Sequence, residues 1–386
     1  MQLQPLRRWI TAHAALLAIA ILSGCAGPHA DRLLQEVASA PAVFASTSHK
    51  LYVVTTRARA SDPAILFDRT RSEHLTPLSV TVEVPPVHTT GRVERPRGGA
   101  ADPAKHFVAS EIGMYTSNAA ASAALRADFR RNGGRALVFV HGYRTHFDSA
   151  VYRMAQIVHD GQYTGTPILF SWASSGRTLD YVYDKDSATV ARDALEATLR
   201  QIAASGATRI DLVAHSMGGW LAMEALRNLA MTGNPDLGGR LSDVVLASPD
   251  IDVDIFRAQM RRIGVPKRPY FLLYSGDDRA LRISSLIAGN RPRVGDYSDA
   301  ASLAKLGVIA VNVSGVKAGD GLNHTRFADN PVLIRMLGER LTDPAAFEGD
   351  DDQIANGIDT LAGGVLSAGE LVVTTPFRVL RIAFGG

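Results

Sequence analysis

Apolar and polar positions fall into distinct regimes along this chain. An apolar run from Trp9 to Leu22 stands behind Arg7 and Arg8. From residue 51 short β-rich runs take over, Leu51 to Thr56 and Leu78 to Pro85, the second alternating as a half-buried strand does. A Pro-, Gly- and Arg-rich stretch over 96–103 reads as a surface loop. Beyond it the runs become almost wholly apolar: Ala136 to Val140, Ile168 to Trp172, Ile210 to Ala214, Val244 to Ala247, Tyr270 to Tyr274 and Val308 to Val313. Helical periodicity follows several of them, over Ser149 to His159, Ser187 to Ala204, Met217 to Met231 and Asn330 to Leu341. Apolar strands alternating with amphipathic helices predict an α/β fold, a mostly parallel sheet with helices on both faces. Ligands of such sheets gather at the carboxyl ends of the strands. After Asp350, Asp351 and Asp352 comes a β-prone run, Leu371 to Ile382, that suits an edge strand, a capping arm or a tail. The expected organisation is a leader over 1–25, a tether over 26–50, an α/β domain over 51–344 and a C-terminal extension over 345–386.

Composition narrows the classes. The chain has 386 residues, 46% of them apolar, and a formal charge of only +3 with bases scattered among acids. That distribution gives no footprint for nucleic acid. Among the eleven histidines and the single cysteine no group has zinc-site spacing, so neither metal nor cofactor is expected. Leu22-Ser23-Gly24-Cys25 resembles a bacterial lipobox, and the apolar run before it is shorter than the roughly 20 residues of a membrane span. Cleavage before Cys25 would leave that residue lipidated, each buried methylene adding about 0.8 kcal/mol of membrane attachment. The expected location is the cell envelope, lipid-anchored, with Ala26 rather than aspartate after the cysteine favouring the outer membrane of a Gram-negative cell. A lone cysteine also excludes an intrachain disulfide.

The candidate chemistry lies where strands end. Ile210 to Gly219 reads as strand, small-residue turn and helix around Ala214-His-Ser216-Met-Gly218, the context of a nucleophile elbow with Ala in place of its first glycine. Ser216 is therefore the candidate nucleophile. In chain order the acid and then the base follow, and His324 is the one histidine well beyond Ser216. His215, next to the serine, is expected to point away. Strand Tyr270 to Tyr274 leads to Asp277-Asp278, of which Asp278 is favoured as the acid, with Asp277, Asp250 and Asp252 remaining open. Val138-Phe-Val-His141-Gly142-Tyr143 ends an earlier strand. The backbone N–H groups of Tyr143 and Met217 are the expected oxyanion donors, and His141 a structural hydrogen-bonding residue.

These motifs, with Phe170-Ser-Trp172, Tyr181-Val-Tyr-Asp184 and Ala247-Ser-Pro-Asp-Ile-Asp252, resemble a bacterial α/β-hydrolase family, esterase- or lipase-like, catalogued as domain of unknown function 900. Tyr52-Val-Val-Thr-Thr-Arg57 and Val82-Glu-Val-Pro-Pro-Val-His88 extend the resemblance to about 51–341. It implies the α/β-hydrolase fold and hydrolysis of a small-molecule ester by a Ser-His-Asp acyl-enzyme route without cofactor. Thioesterase, amidase and lipase activities share that machinery, and a catalytically silent envelope lipoprotein is the competing class. Two positions depart from the family: Arg144-Thr145 stand where it has Asn-Asn, and Thr325 where it has a bulky aromatic.

Overall fold

A computed structural model of the chain describes residues 33, 46–297, 299–316, 319–342, 369–375 and 379–384. The whole leader with Cys25, and most of the tether and C-terminal extension, lie outside these residues. Three strands come first, β1 (Thr47–Arg59), β2 (Phe67–Val84) and β3 (Val108–Met114). An alternating stretch follows: α1 (Asn118–Asn132), β4 (Arg135–Val140), α2 (Phe147–Asp160), β5 (Thr166–Ser171), α3 (Tyr181–Val190), α4 (Arg192–Ala204), β6 (Arg209–His215) and α5 (Met217–Met231). It continues as β7 (Leu241–Ala247), α6 (Val253–Ile263), β8 (Tyr270–Tyr274), α7 (Arg279–Ile287), α8 (Ala300–Ala304), β9 (Val308–Asn312), α9 (Arg326–Asp329) and α10 (Pro331–Thr342). Two strands close the described chain, β10 (Gly369–Thr374) and β11 (Val379–Phe384).

These strands form one sheet in the order β11-β10-β9-β8-β7-β6-β4-β5-β1-β2-β3. Its centre, from β1 to β9, is parallel, and both margins are antiparallel. The parallel centre is covered twice, as its apolar runs require. Along β4, Leu137 and Phe139 join a core shared with α2 and α10, whereas Ala136, Val138 and Val140 join one shared with α1, α4 and α5. Each fully buried Leu, Val or Phe contributes about 1.5–3 kcal/mol, so both layers are driven chiefly by that alternation. This is the α/β-hydrolase fold.

Several boundaries differ from the pattern-based expectation. The helix expected over Ser187 to Ala204 is two helices, α3 and α4, starting at Tyr181. β1 begins at Thr47, within the stretch read as tether, and Leu33 from that stretch is buried, its carbonyl accepting the Tyr152 hydroxyl at 2.9 Å. Of the roles open to the C-terminal run, the structure shows pairing: Val372, Val373 and Thr374 lie beside Asn312, Val311 and Ala310 of β9. Among the described residues no helix is long and apolar enough to cross a membrane.

Strand order reverses at β4. The chain passes from β4 to β5 on one side and then returns to β6 on the other. A crevice opens at such a reversal, beyond the carboxyl ends of the two diverging strands. Here those ends carry His141-Gly142-Tyr143 and His215-Ser216-Met217.

Candidate active site

Ser216 occupies the turn between β6 and α5 with φ 53° and ψ −122°. A positive φ is rare for a residue with a Cβ and costs about 1–3 kcal/mol, so neighbouring contacts must hold it. Three do so. Ser216 N–H donates to Ala247 O at 2.9 Å, and Ser216 O accepts from Gly219 N at 2.9 Å and Asp250 N at 3.1 Å. The turn also passes the end of β4 at backbone distance: a Cβ on Gly218 would lie 2.4 Å from His141 O and 2.6 Å from Val140 O. One on Gly142 would meet Ser216 Cβ at 2.9 Å. The methyl of Ala214, in place of the motif's first glycine, is buried in the core formed with α4 and α5.

His324 lies in the loop before α9. Its backbone N–H donates to Asp320 Oδ1 at 3.0 Å, and its Nδ1 is 2.7 Å from Asp278 Oδ2. Asp278 is fully buried, and its other oxygen caps α7 by accepting Leu281 N–H at 3.0 Å. Both carboxylate oxygens are thus committed, which fixes the ring orientation of His324. Burial on its own lowers the imidazole pKa, but the charge and hydrogen bond of Asp278, with the charges of Asp320 and Asp250, outweigh it and leave the pKa raised.

The other acids left open by the sequence have different partners. Asp277 pairs with Arg326 at 2.7 Å and takes Asn323 Nδ2 at 3.1 Å. Its pKa is lowered, chiefly by the hydrogen bond from Arg326. Asp250 lies beside Arg293 Nε at 3.2 Å and accepts from the Tyr181 hydroxyl at 2.9 Å and from Ser284. Asp252 caps α6 through Asp254 N at 2.9 Å.

His215 has a place that sequence reasoning did not give it. Its ring lies 4.7 Å from the rings of both His324 and Phe327, and its Nε2 is 3.2 Å from His324 O. Burial first, and then the neighbouring His324, hold its pKa well below that of a free imidazole. It is therefore neutral at pH 7 and donates from Nε2 to the carbonyl of His324. Ser216 and His324 are brought to the same rim, yet among the described residues no hydrogen bond joins Ser216 Oγ to the His324 ring.

Tyr143 and Met217 come from the two segments that meet at the crevice. Among the described residues neither backbone N–H is taken by a protein acceptor. The Tyr143 hydroxyl donates to Thr178 O, and its ring meets that of Tyr181 edge-on at 5.5 Å. Behind this loop are two buried charged side chains, Arg57 and Asp184, each the last residue of a motif. Arg57 donates to Thr145 O at 2.7 Å, Ser174 O at 2.8 Å, Ser171 Oγ at 3.0 Å and Asp68 O at 3.2 Å. Burial pulls its pKa down to about 10 against the pull of Asp184 and Asp148. Asp184 accepts Ser175 N at 2.7 Å, Arg144 N at 2.9 Å and Ser174 Oγ at 2.6 Å. His141 stacks on Trp172 at 5.0 Å, and burial, then Arg57, keeps it neutral with a pKa of about 3. Its backbone carbonyl accepts Trp172 Nε1–H at 2.8 Å.

Comparison with known proteins places the chain in a family. A family described as "Alpha/beta hydrolase of unknown function (DUF900)" matches residues 117–340, more than half of the chain. The chain belongs to this family. Within it the match begins just before α1, so β1 to β3 and their motifs lie outside the matched span. No curated protein matches the chain. Solved structures resembling it include a lipase B of Aspergillus fumigatus, with 14% identity, 64% of this chain and 62% of that one covered and a TM-score of 0.38. The chain therefore spans less than two thirds of that lipase. An esterase of Pyrobaculum calidifontis covers 70% of this chain and 82% of its own at 12% identity, TM-score 0.32. A fungal esterase of Rhizomucor miehei covers 78% and 86% at 13% identity, TM-score 0.37.

The residues at the two departures have defined local contacts. Arg144 sits at φ 55° with its backbone N–H on the buried carboxylate of Asp184, which supports the turn after His-Gly-Tyr. Thr325 starts α9, its carbonyl accepting Ala328 N at 3.0 Å and its hydroxyl bonding Asp329.

Proposed function

We propose that this α/β-hydrolase is a serine hydrolase that cleaves ester-type bonds through an acyl-enzyme. The observation that carries the reading is the orientation of His324 by a buried carboxylate, 2.7 Å from its Nδ1, on the rim that holds Ser216 at positive φ. Ser216 Oγ attacks the ester carbonyl while His324 Nε2 takes its proton, and Asp278 stabilises the imidazolium that forms. The tetrahedral oxyanion accepts from Tyr143 N–H and Met217 N–H, each worth about 2.7–4 kcal/mol by analogy with a measured hydrolase donor. Collapse expels the alcohol, protonated by His324, and water repeats the sequence to release the acid. The Ser216–His324 hydrogen bond, not formed here, closes when substrate fills the crevice, since such bonds are often long before binding.

The membrane anchor is part of the proposal and rests on the Arg-led apolar run ending in Leu22-Ser-Gly-Cys25. A fluorophosphonate probe applied to cell fractions tests both parts. A labelled band in the membrane fraction, lost in Ser216→Ala and moved to the soluble fraction by Cys25→Ser, is the expected result. Absence of labelling in the wild type would favour a silent binding protein. Small or medium esters are the expected substrates, and equal turnover of long-chain triglyceride and short-chain ester would overturn that preference. A lipase reading has one observation in its favour: Leu179 just before α3, Val182 of α3 and Leu286 and Ile287 of α7 are exposed, on segments joined by the Tyr181–Ser284 hydroxyl contact.

A further inference from the structure

A cluster of imidazoles and carboxylates lies at the end of α2 remote from the catalytic loop. His159 and Asp160 are its last residues, about 20 Å along the helix axis from Phe147, which follows the His141–His146 segment. His88 and Glu94 come from the loop after β2, and His49 from the start of β1. One potential ligand atom from each of His88, His159 and Asp160 falls within a group whose members all lie within 4.8 Å of one another.

Each of the three side chains is also gripped from behind. His88 Nδ1 is 2.8 Å from Glu94 Oε2, which leaves Nε2 facing Asp160 Oδ1 at 2.8 Å. Asp160 Oδ2 accepts Gly91 N–H at 2.8 Å and the Gln156 amide at 2.6 Å, so its Oδ1 is the oxygen turned to His88. His159 Nδ1 meets His49 Nε2 at 3.1 Å. A two-group ion pair requires no such outer tier, whereas metal-binding histidines commonly have the second nitrogen fixed by a carboxylate. The His88 and Asp160 side chains are nearly buried, at 6% and 2% exposure, which limits competition from water.

We propose that His88, His159 and Asp160 bind a divalent transition-metal ion of the zinc class. Two imidazoles and one carboxylate, with no thiolate, match the donors such ions take, and three protein ligands leave a position for water. The ion enters between His88 Nε2 and Asp160 Oδ1, releases to solvent the proton that bridges them, and changes no oxidation state. It ties the β2 loop to α2 and, through His49, to β1, so it clamps the N-terminal strands onto the hydrolase core. The histidines stand 71 residues apart in the chain, which is why no spacing signature announced them.

Untagged full-length protein, stripped with chelator and titrated with zinc chloride by calorimetry, tests the site. The expected result is one equivalent bound with a rise in thermal midpoint, both lost in His159→Gln. Glu94→Gln, which touches only the outer tier, should weaken affinity about 10–100-fold while circular dichroism shows the fold intact. X-ray absorption of the loaded wild type should report imidazole nitrogen and oxygen but no sulfur. Absence of stoichiometric binding to the wild type overturns the proposal, as does affinity unchanged in both variants, since the zinc would then sit elsewhere. Retained folding with lost zinc in His159→Gln separates loss of ligands from loss of structure.

Discussion

Asp277 and Asp278 adjoin in sequence and share no partner of their carboxylates. The exposed-side neighbour neutralises Arg326, while the buried one aims its oxygen at His324. A prediction follows for the pH profile. A general base acts when neutral, so kcat/KM rises as pH climbs through the His324 pKa. That pKa is raised, so the acid limb should lie above the roughly 6.5 of a free imidazole. In Asp278→Asn the charge that raises it is gone and burial, which lowers it, remains. The limb should therefore move down in pH while the rate falls about 10⁴-fold. Asp277→Asn should leave the limb where it is. A pH–rate profile whose acid limb does not shift in Asp278→Asn would remove the aspartate from this role. Strand, turn and chain order sufficed to nominate Ser216 and His324. His215 was legible only as a neighbour of the serine, because its contact with the His324 carbonyl depends on how two distant loops fold together.

At the scale of elements, the active rim depends on how closely α5 approaches β4. The two oxygens that a Gly218 side chain would meet, at 2.4 and 2.6 Å, are backbone carbonyls of β4 and its loop and cannot swing aside like a side chain. In Gly218→Ala the helix start must move away, which takes Met217 N–H with it. A cost of about 1–3 kcal/mol is expected for such overpacking, read as a lower calorimetric midpoint, with probe labelling of Ser216 reduced in the still-folded protein. An unchanged midpoint together with unchanged labelling would show the contact to be slack. The same closeness explains why the parallel centre was readable. Strands buried on both faces carry few polar positions, Asp211 of β6 and Asp243 of β7 among them, so β4 to β9 still stood out as mainly apolar runs. The elements that escaped notice are those with thin apolar signals. α1 buries only Ala121, Leu125 and Phe129, one narrow stripe in an Ala- and Arg-rich helix, although Ser117 and Gly133 cap its two ends. β3 is half exposed along Ala-Ser-Glu-Ile-Gly and lacks an alternating face. The break between α3 and α4 at Ala191 interrupts the backbone without interrupting the apolar pattern.

For the whole molecule, the sheet extends past the family's matched span on both sides, and the C-terminal side offers the sharper test. β10 pairs with β9 through three residues and buries Val373 fully, while β11 pairs with β10 along six. Without this hairpin β9 would become an edge, its backbone N–H and C=O groups open to another chain. The rim carrying Ser216 and His324 draws nothing from β10 or β11 among the described contacts, and the family match ends at residue 340. A chain ending at Thr342 should therefore keep fluorophosphonate labelling of Ser216. Its stability should fall by at least the roughly 1.5–3 kcal/mol attached to one buried apolar side chain. Its bare β9 edge should also make it self-associate as concentration rises, which sedimentation velocity would register against a full-length control. A truncated protein with the full-length midpoint and no concentration-dependent association would mean that the hairpin merely rests on β9. Loss of labelling in a truncated but folded protein would mean instead that the extension helps to position the His324 loop, through α9 and α10, from across the sheet.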